Sequence, residues 1–308
     1  MSKFYINTRR DFLTRGLGLV GVGAVLPHHL IRTALAGPEA QPDQRVTVML
    51  QLAGGHDALS ALVPYGDAEY HKARSAIRIK EEEVLKLDDY VGLHPSLKGI
   101  RELYDEGAFA AIPGTGYPNT NYSHFTATDI WHTADRNPGK ALFGWVGRAC
   151  DAAFKGNLDP KLSIAVGQGK TPRVLVGKEH PGLSFSSPNA YRYTGDRGDA
   201  KRKELFRKLN QPGQGGHGSN KDFITQTAGN ANASSDEIRR MASGYKPKAG
   251  YPSTSLGRNL QTIAALVVRG LSTRIYFTEL GGFDTHSNQR LGHDRLMLQL
   301  DEAVTAFY

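Results

Sequence analysis

Cysteine is nearly absent from this chain. Cys150 is alone in 308 residues, so no internal disulfide can form and no Cys-x-x-Cys redox or zinc motif exists. Its apolar flank, Trp145-Val146-Gly147-Arg148-Ala149, reads as the setting of a buried small hydrophobe, not of a reactive thiol. Long apolar runs are missing too. The stretch from Leu17 to Leu26 falls well short of the roughly 20 residues of a spanning helix, so no permanent membrane span is expected. No Gly-x-Ser-x-Gly elbow, Walker loop or His-Glu-x-x-His pattern occurs, which sets aside the chemistries those motifs carry. A strong charge of one sign is also lacking outside the first residues. The formal net charge is +8, but Lys3, Arg9, Arg10, Arg15 and Arg32 stand against Asp11 alone in the first 36 residues, so half of the excess lies there. The remaining +4 is spread without a basic, aromatic-interleaved stripe, and no nucleic-acid partner is expected. The densest basic run, Lys201-Arg202-Lys203 with Arg207-Lys208, fits a solvated helix face.

What the beginning does contain is an address. Thr8-Arg9-Arg10-Asp11-Phe12-Leu13 is a twin-arginine export motif, the Gly-rich apolar stretch follows it, and Ala34-Leu35-Ala36 supplies a small-x-small cleavage pattern. The expectation is a signal peptide over residues 1–36, a mature chain from about Gly37, export by the twin-arginine machinery, and a periplasmic or extracellular location. That pathway carries folded proteins, which mildly favours one that has acquired a metal.

Residues 37–308 are long enough for one α/β domain. Val46 to Leu52 is apolar nearly throughout, as a central strand covered on both faces would be. Pro95 opens a helix carrying Leu97, Ile100, Leu103 and Tyr104 on one face, and Gly107 closes it. Phe109 to Ile112 reads as a short buried strand, making a strand-helix-strand unit and hence a parallel sheet. A turn-rich loop from Tyr117 to Tyr122 leads into a helix from Ser123-His124 to Thr133. Further strands are expected at Leu162–Val166 and Val174–Val176. From about 193 to 254 the composition turns polar and Gly-rich, which reads as an insertion or cap with helices near 199–209 and 234–243. Leu256, Leu260, Ile263 and Val267 mark a helix closed by Gly270, and Arg274 to Thr278 is a strand. The last helix carries His293, Met297, Leu300, Val304 and Phe307 on one stripe.

Two strands end alike. Gly54-Gly55-His56-Asp57 follows the first, and Gly281-Gly282-Phe283-Asp284-Thr285-His286 follows the later one. Ligands bind outside the carboxyl ends of parallel strands, and glycines let the backbone approach closely. Asp57, Asp284 and His286 converging there would offer oxygen and nitrogen to a divalent metal. The plain alternative is that each Asp caps the helix behind it, with His286 and His56 ordinary loop residues. Ser123 is the second candidate. At a helix start its hydroxyl faces the positive end of the dipole and free N–H groups, which favour an anion. Given a metal to lower its pKa, it could attack a phosphate or sulfate ester. Its plain alternative is a simple N-cap. His94, His124, Asp129 and His132 lie near it in sequence.

Taken together, the twin-arginine leader, LQLAGGHDALSALVPYGD, LHPSLKGI, GTGYPNTNYSHFTATDIWHTA and GGFDTHSNQ with its trailing helix resemble the exported bacterial family of unknown function catalogued as DUF 1501. The likeness runs in order along nearly the whole mature chain, least clearly in the polar insertion. That family is regarded as a distant branch of the alkaline phosphatase and sulfatase superfamily. The resemblance implies an alkaline-phosphatase-like α/β sandwich around a mostly parallel sheet. It implies Asp57 as the metal-binding Asp after the first strand, Asp284 and His286 as a later ligand cluster, and Ser123, with Thr126 behind it, as the hydroxyl nucleophile. Zinc, calcium and magnesium are all open as the divalent metal, and the substrate would be a small or polymeric anionic ester. The sequence departs from the family in two ways. His56 stands where members usually carry Asn. The family's later Glu-Phe-Gly-Arg segment and Asp-His pair are absent, so the chain is expected to be a truncated form holding part of the site, with an exposed sheet edge. The rival expectations are a non-catalytic exported protein that binds an envelope component or polysaccharide, with Tyr117 and Tyr122 suited to sugar contacts, or a truncated copy without function.

Overall fold

The computed structural model describes residues 45–156, 159–192, 198–209 and 234–308. The expected leader at 1–36, and residues 193–197 and 210–233 of the expected polar insertion, lie outside the described residues.

A four-stranded, wholly parallel sheet forms the centre: β1 (Thr47–Leu52), β5 (Ser163–Val166), β6 (Leu183–Phe185) and β7 (Ile275–Leu280), in the order β1-β7-β5-β6. A small antiparallel sheet, ordered β2-β4-β3, is built from β2 (Leu62–Val63), β3 (Leu85–Lys86) and β4 (Gly92–Leu93). The helices are α1 (Ala58–Ala61), α2 (Ala68–Ala73), α3 (Lys98–Asp105), α4 (His124–Thr133), α5 (Trp145–Ala153), α6 (Ala200–Leu209), α7 (residues 234–243), α8 (Ser255–Val268) and α9 (Gln289–Phe307). The architecture is α/β with a parallel central sheet and flanking helices, as the alternation of apolar runs and helical stripes implies.

Apolar residues cover both faces of the sheet. On one face Ile164, Val166, Tyr276 and Leu280 join Ile100, Leu260, Ile263 and Met297 from α3, α8 and α9 in the larger core. On the other, Ala165, Ile275 and Phe277 meet Val146 and Cys150 of α5 and Val174 and Leu175 of a 3-10 turn. Cys150 is 1% exposed, and burial pushes its thiol up to about 12, so it packs as the inert hydrophobe its flank suggests. No helix among the described residues is long and apolar enough to cross a membrane.

Three expectations change. β1 is not central: it lies at the sheet's edge, and all six of its residues are half-buried. An apolar run reports that both faces of a strand are covered; it carries no information about whether both edges are paired. Phe109–Ile112 is not a strand, and Ile112 is 65% exposed. The N–H groups of Ala108 and Phe109 donate back to the Leu103 carbonyl, closing α3 past Gly107, so they are spent on the helix end. Val174–Val176 is likewise no strand but falls in and after the 3-10 turn Arg173–Leu175.

α9 fastens α3 through a charge. The Asp301 carboxylate is 7% exposed and accepts from the N–H of Gly99 (3.0 Å) and of Ile100 (2.8 Å), two amides in the first turn of α3. A helix start whose N-cap, Leu97, offers no side-chain bond is thus capped by another helix. Asp301→Ala leaves the buried Ile100 amide and the half-buried Gly99 amide without this acceptor. We expect a loss of about 1–3 kcal/mol in urea unfolding, with Asp301→Asn losing less because its amide oxygen still accepts one bond.

Candidate functional site

The site begins with strand register. β1 pairs with β7 from Thr47 opposite Ile275 to Leu52 opposite Leu280, and Ala53 N–H donates to the Leu280 carbonyl. The two strands therefore end together, and the two Gly-Gly turns lie side by side. Gly54 and Gly55 both have positive φ, +91° and +78°. A Cβ at Gly54 would lie 3.7 Å from the Asp284 N–H nitrogen, and one at Gly55 only 2.4 Å from the His124 ring. Only glycine at 55 lets the imidazole lie against the turn.

Three of the chemistry-bearing side chains meet here. The Asp284 Oδ1 lies 2.8 Å from His286 Nε2 and 3.5 Å from His124 Nε2. Asp284 is half exposed, and His286 more so. His286 takes a left-handed backbone, φ +40°, as does Asn288, the N-cap of α9. Asp284 therefore does not cap the following helix. His124, in sequence only a neighbour of Ser123, is the residue that brings α4 to this cluster.

Ser123 is exposed and is the N-cap of α4, its Oγ accepting from Thr126 N–H at 3.5 Å, while its own N–H donates to Asn121 Oδ1 at 2.7 Å. The capping role is real, and Ser123 directly precedes His124 in the chain. An open cleft of about 350 Å³ runs between this end of α4 and the β1 turn, from Leu50 to Gly55 on one wall and from His124 to Trp131 on the other.

Asp57 lies elsewhere in its bonding. Arg74 grips it with two nitrogens at 2.6 and 2.9 Å, Ser60 Oγ donates at 2.7 Å, and Gln289 Nε2 at 2.6 Å. Burial works against its charge, but the hydrogen bonds from Arg74 and Ser60 and the Arg74 charge outweigh that and hold the carboxyl below its ordinary value. The expected union of Asp57 with Asp284 and His286 is thus not what its contacts display: it ties α1, Arg74 at the end of α2, and α9 together, and makes no side-chain cap to α1. Its oxygens are taken by cationic and polar donors that a sequence pattern does not reveal.

Beside Asp57 lies a set of imidazoles that sequence reading did not join. His56 stacks on His293 with ring centroids 5.6 Å apart, and His94 meets His293 at 5.4 Å. His94 Nδ1 accepts from Ser96 N–H, so Nε2 carries the proton toward Asp294 Oδ1, 2.8 Å away. His56 Nε2 and both nitrogens of His293 have no partner among the described residues. The one available signal was His293 on the buried stripe of α9. Burial, reinforced by His94 and His56, lowers His293 to about 4; burial also lowers His56 and His94, against the raising influence of Asp57 and Asp294.

Among the described residues no group of three or more His, Cys, Asp or Glu side chains forms a complete metal-holding set. The donors that fit a cation best are the Asp284 oxygen and the His286 nitrogen, already adjacent and open to solvent, with His124 across from them. The chain matches no family model, no curated protein and no solved structure.

The imidazole set makes stability depend on pH. Because His293 ionises in the unfolded chain near 6.5 but only near 4 in the fold, the unfolded state binds the extra proton between those values. Stability is intact above about 6.5, falls as the pH drops toward 4, and levels off for this group below. The loss by pH 4 is on the order of 3 kcal/mol for His293 alone. Urea unfolding across pH 4–7.5 should show that slope, and His293→Leu should flatten it.

Proposed function

We propose that this chain is an exported, metal-dependent hydrolase of phosphate or sulfate esters, built on an alkaline-phosphatase-like sandwich of the family it resembles. The observation that carries the reading is the joint ending of β1 and β7, which gathers Asp284, His286 and His124 around the Gly54-Gly55 turn, with Ser123 adjoining His124. Asp284 and His286 would hold the divalent metal, with His124 as the nearest further donor. When bound, the metal supplies positive charge that favours an anionic ester and an ionised hydroxyl.

The chain's own groups do the rest. Ser123 Oγ is exposed at the N-terminus of a ten-residue helix, where the dipole and amides favour the ester's negative charge. The attack forms a bond from Oγ to phosphorus or sulfur and breaks the ester bond, the serine proton leaving with the alcohol; water then cleaves the seryl ester, releases phosphate or sulfate and restores the hydroxyl. Thr126 N–H, which bonds Oγ, steadies the hydroxyl and its developing charge. Asp57 stays ionised beside Arg74 and fixes the β1 turn from behind.

A second reading has its own support. Tyr122 is 93% and Phe125 87% exposed, on either side of Ser123 and His124. Such aromatics suit a binding protein for an envelope sugar.

One experiment separates the two. Purified full chain, stripped of metal and then supplied with zinc, magnesium or calcium alone, is offered 4-nitrophenyl phosphate and 4-nitrophenyl sulfate. We expect metal-dependent hydrolysis that drops at least 100-fold in Ser123→Ala, and loss of metal binding by calorimetry in Asp284→Ala. Unchanged metal binding in Asp284→Ala, with no turnover of either ester, would overturn the hydrolase and leave the binding protein.

A further inference from the structure

β1 offers a row of backbone groups that no other described residue uses. Thr47 N–H donates to the Arg274 carbonyl and Ala53 N–H to that of Leu280, both at 2.9 Å. Odd-numbered residues of β1 therefore turn their backbone groups to β7. Alternation along a parallel strand sends those of Val48, Leu50 and Leu52 the other way, out of the sheet's open edge. Their N–H groups have no partner among the described residues.

Sheet edges are ordinarily blunted by a charge, a proline, a bulge or brevity. The sequence Thr-Val-Met-Leu-Gln-Leu has none of these over six residues. It has a groove instead. Leu50, Gln51, Leu52 and Ala53 all line the cleft, although successive side chains leave opposite faces of a strand, so the cleft follows the strand's edge and not one face. The far wall is a single helical stripe of α4: His124, Ala127, Thr128 and Trp131, spaced i, i+3, i+4 and i+7.

We propose that this β1–α4 groove captures an extended, uncharged peptide segment, which joins the central sheet as a fifth strand beside β1. The bonding groups of Leu50 and Leu52 recur every second residue, a spacing that another strand reproduces. Leu50 to Ala53 accommodates about four residues, roughly 13 Å at 3.3 Å each. The walls are leucine, alanine, threonine and tryptophan with the neutral amide of Gln51, and His124 stands at one end; no Asp, Glu, Lys or Arg lines the groove, so the segment that matches is apolar or neutral. Its end runs up to Gly55 and His124. The groove meets the proposed ester site at His124, but peptide capture needs neither a metal nor turnover at Ser123, so either can fail alone.

The test uses the full chain and a fluorescein-labelled, acetylated and amidated peptide of alternating Thr and Val, six residues long. A second peptide of the same sequence carries N-methyl groups on the alternate residues of one edge, and a third carries them on the other. We expect the first to bind by fluorescence anisotropy, and one methylated form to lose at least tenfold in affinity while the other keeps it. Amide exchange at Leu50 and Leu52 should slow with peptide, and that at Gln51, already bonded to β7, should not. Thr128→Trp, which fills the groove from the helix side, should abolish binding while keeping the far-UV spectrum. Equal binding of all three peptides, or unchanged exchange at Leu50 and Leu52, overturns the proposal. So does slowing of those amides that rises with protein concentration in the absence of peptide, which assigns the edge to a second copy of the chain.

Discussion

The in-register pairing of β1 with β7 is the constraint on which the rest depends. These strands are separated by more than two hundred residues of sequence, and only their ladder brings the two Gly-Gly turns together. A slip of one residue would move every side chain of β1 to the opposite face. It would put Val48, Leu50 and Leu52 where Met49 now packs, and separate Gly54 from Asp284. Apolar burial on both faces therefore fixes the geometry of the polar residues beyond the strand ends.

Behind the turns, polar interactions serve the scaffold more than the cleft. Asp57 is bonded by Arg74, Ser60 and Gln289, so that one carboxylate joins two neighbouring helical segments to α9, which lies far away in sequence. A partly buried ion pair of this kind contributes little net energy over an apolar substitute, but removing one partner strands the other. Burial disfavours the charged forms of the neighbouring His56, His94 and His293, and the rings pack together, His56 and His293 against Phe283 and His94 against His293. Open, hydratable side chains are left to the other side of the β1 turn, at Asp284, His286 and His124.

Local patterns announced much of this. The helical stripes of α3, α8 and α9, the strand at Ile275–Leu280 and the Ser123 cap follow from periodicity and capping chemistry, which act within a few residues. The strand ends were legible because glycine pairs after apolar runs have few other uses. Phe109–Ile112 misled because four apolar residues cannot distinguish a strand from a helix exit that packs Phe109 on the core. The roles of Asp57 and His124 were hidden because their partners, Arg74, Gln289 and Asp284, are set by the packing of separate elements. The same holds for the cap that Asp301 gives α3, 201 residues away in sequence.

The amino-acid sequence by itself determined the α/β class, the helices with clear stripes and the two glycine turns with their following aspartates, because these depend on short-range backbone preference and on which side chains avoid water. Tertiary structure alone decided which aspartate is gripped by arginine and which stands open, that three histidines share one interior, and that β1 is an edge. Each of these depends on which groups from remote segments come within hydrogen-bonding distance, and a linear pattern of apolar and polar residues does not encode that distance.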